Sequence, residues 1–271
     1  MNLRLFLSNL KMGRGGLIAW TGLILLYALF AVSLYPTVHK GIADIIVYYN
    51  TLPEALKAMV GLEGVNLEAL NFSPELYVTI EFMSMWPLIL SFYAIFSGVN
   101  IAREAERGTL EMLMAQPVRR FQVVASRFSV FLVGMLAISG ASLLGIIFGS
   151  LIINESISLS QMSLVLLTAF LLVLAVGSYT FFFACLFLEP RKALITSGVI
   201  TASTYIINFI IPLLDPAFKW LRNLSLFYYF KPEPIIRTSS LDGTAIIVYA
   251  SVAIISLAGA LLIFQRRDLT V

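Results

Sequence analysis

The sequence predicts an all-α integral membrane protein with six transmembrane helices, because it is rich in long apolar runs and poor in charge. Of its 271 residues, 59% are hydrophobic and 12% are charged, a composition well outside that of soluble domains. A spanning helix needs about 20 apolar residues. Six uncharged segments meet that length within one transmembrane domain of residues 1–271: roughly 17–35, 82–102, 128–151, 162–188, 193–214 and 244–264.

The distribution of basic residues predicts the orientation. Six spans place both termini on one side, and that face would carry twelve of the 18 Lys and Arg residues: Arg4, Lys11, Arg14, Arg103, Arg107, Arg119, Arg120, Arg127, Arg191, Lys192, Arg266 and Arg267. Short cytoplasmic loops carry an excess of Lys and Arg. We therefore expect a multi-pass protein of the cell inner or plasma membrane, with cytoplasmic N- and C-termini.

The N-terminal segment, residues 1–16, predicts an interfacial amphipathic helix that leads into the first span. Leu3, Leu7 and Leu10 fall on one side of it, with basic residues elsewhere. A secretory signal peptide is the alternative, since Ala31 and Ser33 would fit a cleavage site. The apolar run is longer than the usual core of a signal peptide, which favours the first span.

Two longer segments are predicted to lie outside. The first external loop, residues 36–80, is too long to be structureless. Its sequence Ser73-Pro74-Glu75 is typical of a helix start, and this helix should run into the second span and bend near Pro87. The second segment, residues 215–243, mixes aromatic residues with prolines, which predicts short helices in the outer interface.

The densest block of charge is the cytoplasmic segment 103–120, between the second and third spans. Gly108-Thr109 can cap a helix with Glu111 in its first turn, and Pro117 ends it. The predicted helix has an apolar face made of Leu110, Leu113 and Met114. A helix this short is marginal in water, so it should pack against something else. The alternative is a solvated loop that only enforces topology.

This block resembles the cytoplasmic signature of type-2 ATP-binding-cassette (ABC) transporter permeases, the exporter-like class. The resemblance is carried by Glu104, the run Glu106-Arg107-Gly108-Thr109-Leu110-Glu111, Pro117 and Arg120. The ending Phe264-Gln265-Arg266-Arg267-Asp268-Leu269 is similar to the usual C-terminus of that family. In the family, the segment is a coupling helix that docks into a cleft on a separate ATPase subunit.

The resemblance implies a transmembrane subunit that moves a substrate outward, driven by ATP hydrolysis on that separate subunit. It also implies a complex of two ATPase copies and two copies of this permease in the lipid bilayer. The residues that would contact the ATPase are Glu104, Glu106, Arg107, Gly108, Thr109, Leu110, Glu111, Leu113, Met114, Pro117 and Arg120.

The fifth predicted span is the most polar, and its polar residues recur at spacings of three and four. One helical stripe therefore holds Ser197, Thr201, Thr204, Tyr205 and Asn208. Two interpretations remain open. The stripe either makes hydrogen bonds between helices or forms a wall of the substrate path.

Motifs that the sequence lacks reduce the number of function classes to consider. The sequence has no GxxxxGK[ST] loop, so ATP and Mg²⁺ would bind the partner ATPase, and we expect no catalytic residue and no enzyme activity in this chain. His39 is the single histidine and has no ligand partner nearby in sequence, so no metal site is predicted. The basic residues form no nucleic-acid surface.

The predicted spans also contain no Asp, Glu, His, Lys or Arg. Ion-coupled carriers and intramembrane enzymes commonly need such groups, so both classes are disfavoured, and an apolar or neutral substrate is favoured over a small ion. The alternative function is a membrane carrier or scaffold that works without an ATPase.

Overall fold

A computed structural model describes residues 3–53, 56–57, 73–115, 118–211 and 216–267, which are helical with short connections and contain no β-strand. The helices are α1 (Leu3–Ser33), α2 (Tyr35–Lys40), α3 (Ile42–Thr51), α4 (Pro74–Val78), α5 (Trp86–Gly98), α6 (Asn100–Glu106), α7 (Thr109–Met114), α8 (Arg120–Ile153), α9 (Leu159–Phe187), α10 (Pro190–Ile210), α11 (Pro232–Thr238) and α12 (Gly243–Arg266). A π-helical turn over Thr79–Met83 follows α4, and two 3-10 helices, Pro216–Leu224 and Leu226–Tyr229, precede α11.

Five stretches of the described residues are long and apolar enough to cross a membrane: Leu5–Lys40, Pro74–Glu106, Arg120–Ile153, Leu159–Phe187 and Gly243–Arg266. Their outer surfaces are apolar, since Leu26, Leu136 and Ile255 are 65%, 62% and 70% exposed. The chain is therefore a membrane protein of long apolar helices. The remaining predicted span, 193–214, corresponds to α10 and continues into residues outside the described ranges, so six spans stay a prediction.

The regular α-helical hydrogen bonding of the second stretch is interrupted just before Pro87, close to where the sequence predicts a bend. Ser73 caps α4 by accepting a hydrogen bond from the backbone N–H of Leu76, at 3.3 Å. The backbone N–H of Ser84 then reaches back to the carbonyl of Thr79, at 3.0 Å, which widens the helix by one residue. Pro87 lies in the first turn of α5 and has no N–H to donate to a preceding carbonyl. The wider turn therefore lies just before the point where a regular helix hydrogen bond is lost.

Small residues bring α1 and α8 into close contact along their length. A Cβ atom added to Gly145 would lie 2.6 Å from the Cβ of Ala28 and 2.9 Å from the carbonyl oxygen of Leu25. A Cβ atom added to Gly149 would lie 2.6 Å from the Cβ of Val32. Gly145 and Gly149 therefore allow the two helices to approach closely, because neither adds a side chain at the contact.

Helix α9 lies at the centre and packs against α5, α8, α10 and α12. Its Phe181 ring centroid lies 6.0 Å from that of Phe131 on α8. The second and third stretches are joined by a buried hydrogen bond, in which Trp86 Nε1 donates to Ser142 Oγ at 2.8 Å. This bond satisfies an indole N–H that has no access to water.

One end of the bundle, which we call the loop end, holds α6, α7 and the turn between them. Helix α1 begins there, since Asn9 Nδ2 lies 3.5 Å from Ser126 Oγ near the start of α8. Helix α12 ends there, because Arg267 donates hydrogen bonds to carbonyls at the end of α9. The described part of the predicted interfacial segment, residues 3–16, is continuous with the first span in one helix.

The opposite end holds the beginning of α9 and the segment that follows α10. The backbone N–H of Ser158 donates to Glu75 Oε1 at 2.9 Å, and Gln161 Nε2 donates to the carbonyl of Ile236 at 2.9 Å. Helix α10 reaches this end, where the carbonyl of Thr204 accepts from Ser225 Oγ at 2.5 Å. The described part of 215–243 forms short helices, as predicted. Both 3-10 helices pack on α10 and the second also packs on α12, whereas α11 packs on α9.

We expect Gly145→Ala to destabilise the protein by about 1–3 kcal/mol, because the added methyl group would overlap the backbone of α1. Gly140→Ala in the same helix is the matched control, since a Cβ there meets nothing within 4 Å. That control should be neutral, or more stable by up to about 1 kcal/mol from helix propensity. Thermal unfolding of the detergent-solubilised protein measures both, and equal stability of the two variants would contradict the packing described.

Candidate partner-docking loop

The charged block forms two short helices joined by a turn at the loop end, and we call residues 100–114 the charged loop. Helix α6 ends at Glu106 and α7 begins at Thr109. Gly108 between them has φ of 69°, in the left-handed region that L side chains rarely adopt. Thr109 Oγ1 donates back to the carbonyl of Glu104 at 3.1 Å. The predicted helix is therefore present, while Pro117 lies outside the described residues.

The side chains of α7 that are buried and those that are exposed differ from the prediction. Leu110 is 1% exposed within the chain itself, and Leu113 and Met114 are half-buried against the same core. The side chain of Leu110 fills the core of this chain, and its predicted contact with an ATPase stays a prediction. Met112 is the exposed apolar residue, at 73%, and Glu111 beside it is also exposed.

Glu104 and Arg127 form an ion pair that ties the charged loop to the third stretch. Arg127 Nη2 lies 2.5 Å from Glu104 Oε1, and the side chains are 12% and 19% exposed. Two charges this far from water are stable only when each meets the other. The pair therefore fixes the end of α6 against the start of α8. The Glu104 side chain, a predicted ATPase contact, is thus paired within this chain.

Two arginines at the loop end donate hydrogen bonds to the last carbonyls of other helices. Arg120 Nη1 donates to the carbonyls of Phe264 and Gln265, at 3.4 and 3.2 Å, and to that of Arg267. Arg267 in turn donates to the carbonyls of Cys185, Leu186 and Phe187. The last carbonyls of a helix lack partners within it, and the helix dipole favours a cation there. The structure thus gives Arg120 an internal role that its predicted docking role did not include.

The polar stripe of α10 is occupied by contacts inside the chain. Ser197 and Thr201 are buried, and Thr201 Oγ1 lies 2.5 Å from Tyr179 OH on α9. Near the far end of α10, Tyr205 packs edge-on against Phe227, with ring centroids 5.1 Å apart.

The end of the stripe is also engaged. Asn208 Oδ1 accepts from Arg222 Nε at 3.3 Å, and the carbonyl of Thr204 accepts from Ser225. These contacts favour the packing interpretation over the substrate path. The buried hydroxyl of Ser197 is the exception, since it has no hydrogen-bond partner in the described part of the chain.

One family model matches nearly the whole chain. It is described as "Multidrug efflux system permease Rv1217c, C-terminal domain", and it matches residues 8–265. The chain belongs to this family. It is thus a membrane permease with a role in transport. No curated protein matches it.

The sequence did not reveal the partners of the permease's charged groups. The sequence pattern indicates only an orientation role for Arg127. This residue directly precedes the apolar run of the third span, and Glu104 closely follows that of the second. Opposite charges at the ends of consecutive spans were the available signal for this pair. Arg267 belongs to the C-terminal motif, but its partners on α9 lie about 80 residues away.

We expect Glu104→Gln to destabilise the permease by about 3 kcal/mol, because it leaves the buried guanidinium of Arg127 without a counter-charge. The exposed pair of Lys192 with Glu189, whose side chains are 62% and 57% exposed, is the matched control. Lys192→Gln should change stability by less than about 1 kcal/mol. Thermal unfolding in detergent compares them, and similar small losses in both would show that the Glu104 pair does not fix the loop.

We expect Thr201→Val to lower stability by about 0.5–1.5 kcal/mol, because it removes the hydrogen bond with Tyr179. Ser203→Val, on the exposed side of the same helix, is the control and should have little effect. Unfolding and transport are measured together. Unchanged stability with altered transport of Thr201→Val would instead support the substrate path.

Proposed function

We propose that this permease is the transmembrane subunit of an ABC transporter that moves neutral or amphipathic compounds outward across the inner or plasma membrane. ATP hydrolysis on a separate subunit, docked at segment 103–120, would drive the transport. Membership in a multidrug efflux permease family supports the transport class. The sequence motif of the charged loop supports the ATPase partner, and the lack of a GxxxxGK[ST] loop in these residues favours an ATPase on another polypeptide.

The observation that carries the proposal is the exposed surface of the charged loop. Met112 is 73% exposed, and it lies on a short helix outside the five apolar stretches. Charged side chains surround it in sequence, since Glu106, Arg107 and Glu111 are all exposed. An apolar anchor within a charged rim is the usual composition of a protein interface. Met112 therefore replaces Leu110 as the proposed anchor.

This surface is attached firmly to the membrane helices. Helix α6 continues from the second stretch, and the pair of Glu104 with Arg127 joins it to α8. Leu110 holds α7 against the core. A partner that moves the charged loop would therefore also move the ends of the second and third stretches, which is the coupling that an ATP-driven permease needs.

The direction of the helices supports six crossings with cytoplasmic termini. Helices α1 and α12 begin and end, respectively, at the loop end, and α10 runs from the end of α9 to the opposite end of the bundle. An even number of crossings is consistent with both observations. The loop end also carries the larger share of basic residues, which favours the cytoplasm. Two permease copies and two ATPase subunits would complete the transporter.

Copurification tests the partnership. The full permease, tagged and extracted from its own cells, should bring down a Walker-motif ATPase in equal number. We expect Met112→Ala to weaken this association about tenfold, or about 1.4 kcal/mol, because it truncates the proposed anchor. Ile254→Ala truncates a residue of similar exposure, 67%, on α12 and should have no effect.

Glu111→Lys should weaken the association further or separate ATP hydrolysis from transport. It places a cation at the N-terminus of α7 and reverses a charge on the docking surface. A permease that transports without any ATPase, or wild-type association for both loop variants, would contradict the proposal and favour the ATPase-independent carrier.

A further inference from the structure

A cavity of about 370 Å³ opens at the loop end between α1, the end of the second stretch and the start of α8. Its two sides differ in chemistry. One side carries the charged groups Arg103, Glu104, Arg107 and Arg127. The other side includes the apolar and aromatic side chains of Leu17, Trp20 and Phe96. Such a division suits a ligand with a charged end and an apolar end.

The charged side has a net positive charge. Glu104 is neutralised by Arg127. Arg103 and Arg107 are left without a second carboxylate in the lining, and the hydrogen bond of Arg103 Nη1 goes to the neutral Asn100 Oδ1, at 3.3 Å. Arg127 Nε is a buried donor with no acceptor in the described part of the chain. An anionic group is therefore favoured here and a cation is disfavoured.

The apolar side leads out of the cavity onto the surface of α1. Trp20 and Tyr93 pack edge-on with ring centroids 5.8 Å apart, which makes a rigid wall. Met12 and Phe96 line the cavity and are still 71% and 47% exposed. Ile18, six residues after Met12 on α1, is 68% exposed. An apolar chain can therefore leave the cavity and continue along the lipid-facing side of the helix.

The size of the cavity limits what it can enclose. Its volume lies at the low end of ligand sites, which span about 300–1,000 Å³. A headgroup and the first part of a chain fit this space, whereas two whole acyl chains need the outer surface. Trp20 on the wall is typical of the headgroup level of a bilayer.

We propose that this cavity binds the headgroup of an anionic phospholipid, with its acyl chains lying over Met12 and Phe96. Arg103 and Arg107 bind the phosphate, and Trp20 packs against the glycerol and upper chain. The bound headgroup bridges α1 to α6, the helix that leads into the turn before α7. The site needs no partner protein, although Arg107 also belongs to the charged rim of the proposed docking surface.

Glycines on α1 allow the cavity to be filled without damage to the core. Gly13 and Gly16 line it, and a Cβ atom added to either meets nothing within 4 Å. Gly16→Leu should therefore occupy the headgroup space while α1 keeps its contacts with α8. Gly15 has the same open surroundings but does not line the cavity, so Gly15→Leu is the matched control.

The charge is tested separately. Arg103→Gln removes a cation from the lining and keeps a long polar side chain. Arg14→Gln removes the same charge from an exposed position on α1 that is not in the lining. A general attraction of the basic end for anionic lipid would respond to both changes, whereas a built site responds only to the first.

The experiment is native mass spectrometry of the full permease released from detergent in the presence of phosphatidylglycerol or phosphatidylcholine. We expect wild type to retain phosphatidylglycerol about tenfold more tightly than phosphatidylcholine. Gly16→Leu and Arg103→Gln should abolish that preference, while Gly15→Leu and Arg14→Gln keep it. Unfolding temperatures equal to wild type show that each variant is folded.

Three results would overturn the proposal. Wild type could retain the two lipids equally. Folded Gly16→Leu and Arg103→Gln could both keep the wild-type preference. Inorganic phosphate at the same concentration could displace phosphatidylglycerol, which would show a site for a free anion rather than for a lipid.

Discussion

The charged loop keeps its place because Glu104 and Arg127 form an ion pair where both side chains are largely buried. Their separation of 2.5 Å and side-chain exposures of 12% and 19% mean that each is the main stabilising partner of the other. Helix α7 is too short to be stable alone. Its position therefore depends on this pair behind it and on Leu110, which is 1% exposed, beneath it. A surface held in this way is ready to receive a partner without first becoming ordered.

The same need to satisfy polar groups shapes the rest of the loop end. The last carbonyls of α9 and α12 have no partners within their own helices, and guanidinium groups supply their hydrogen bonds. Arg120 begins α8 and binds the end of α12, while Arg267 follows α12 and binds the end of α9. Three long helices are thus joined at one end by two side chains. The charged loop belongs to the same connected region through α8.

Composition and the length of the apolar runs predicted the long helices. The bilayer sets the length of a spanning segment and requires its backbone hydrogen bonds to be made within the segment, whatever the other residues contact. The turn at Gly108 and the cap at Ser73 were predictable because both are local. The burial of α7 within this chain was not predictable. Helical periodicity shows that Leu110 belongs to an apolar face, but it does not show whether that face meets this chain or another.

Contacts between residues far apart in the chain also could not be predicted from the sequence. Arg120 and the carbonyl of Gln265 are 145 residues apart, and only the packing of α8 against α12 brings them together. The polar stripe of α10 shows the same limit. Its residues share one helix face, as the spacing predicts, but only the structure shows its contacts with Tyr179, Arg222 and Phe227, which favour the packing interpretation.

Site-directed cross-linking from α7 tests the central claim, that the charged loop is the docking surface for an ATPase. The permease has a single cysteine, Cys185, which is buried, so Met112→Cys adds one reactive thiol. A photoreactive maleimide attached there, in membranes of the native cells, should cross-link to a Walker-motif ATPase. The same reagent on Ile254→Cys should not. A labelled Met112→Cys permease that yields no ATPase adduct, or that reacts only with impermeant reagent added from outside the cell, would contradict the account.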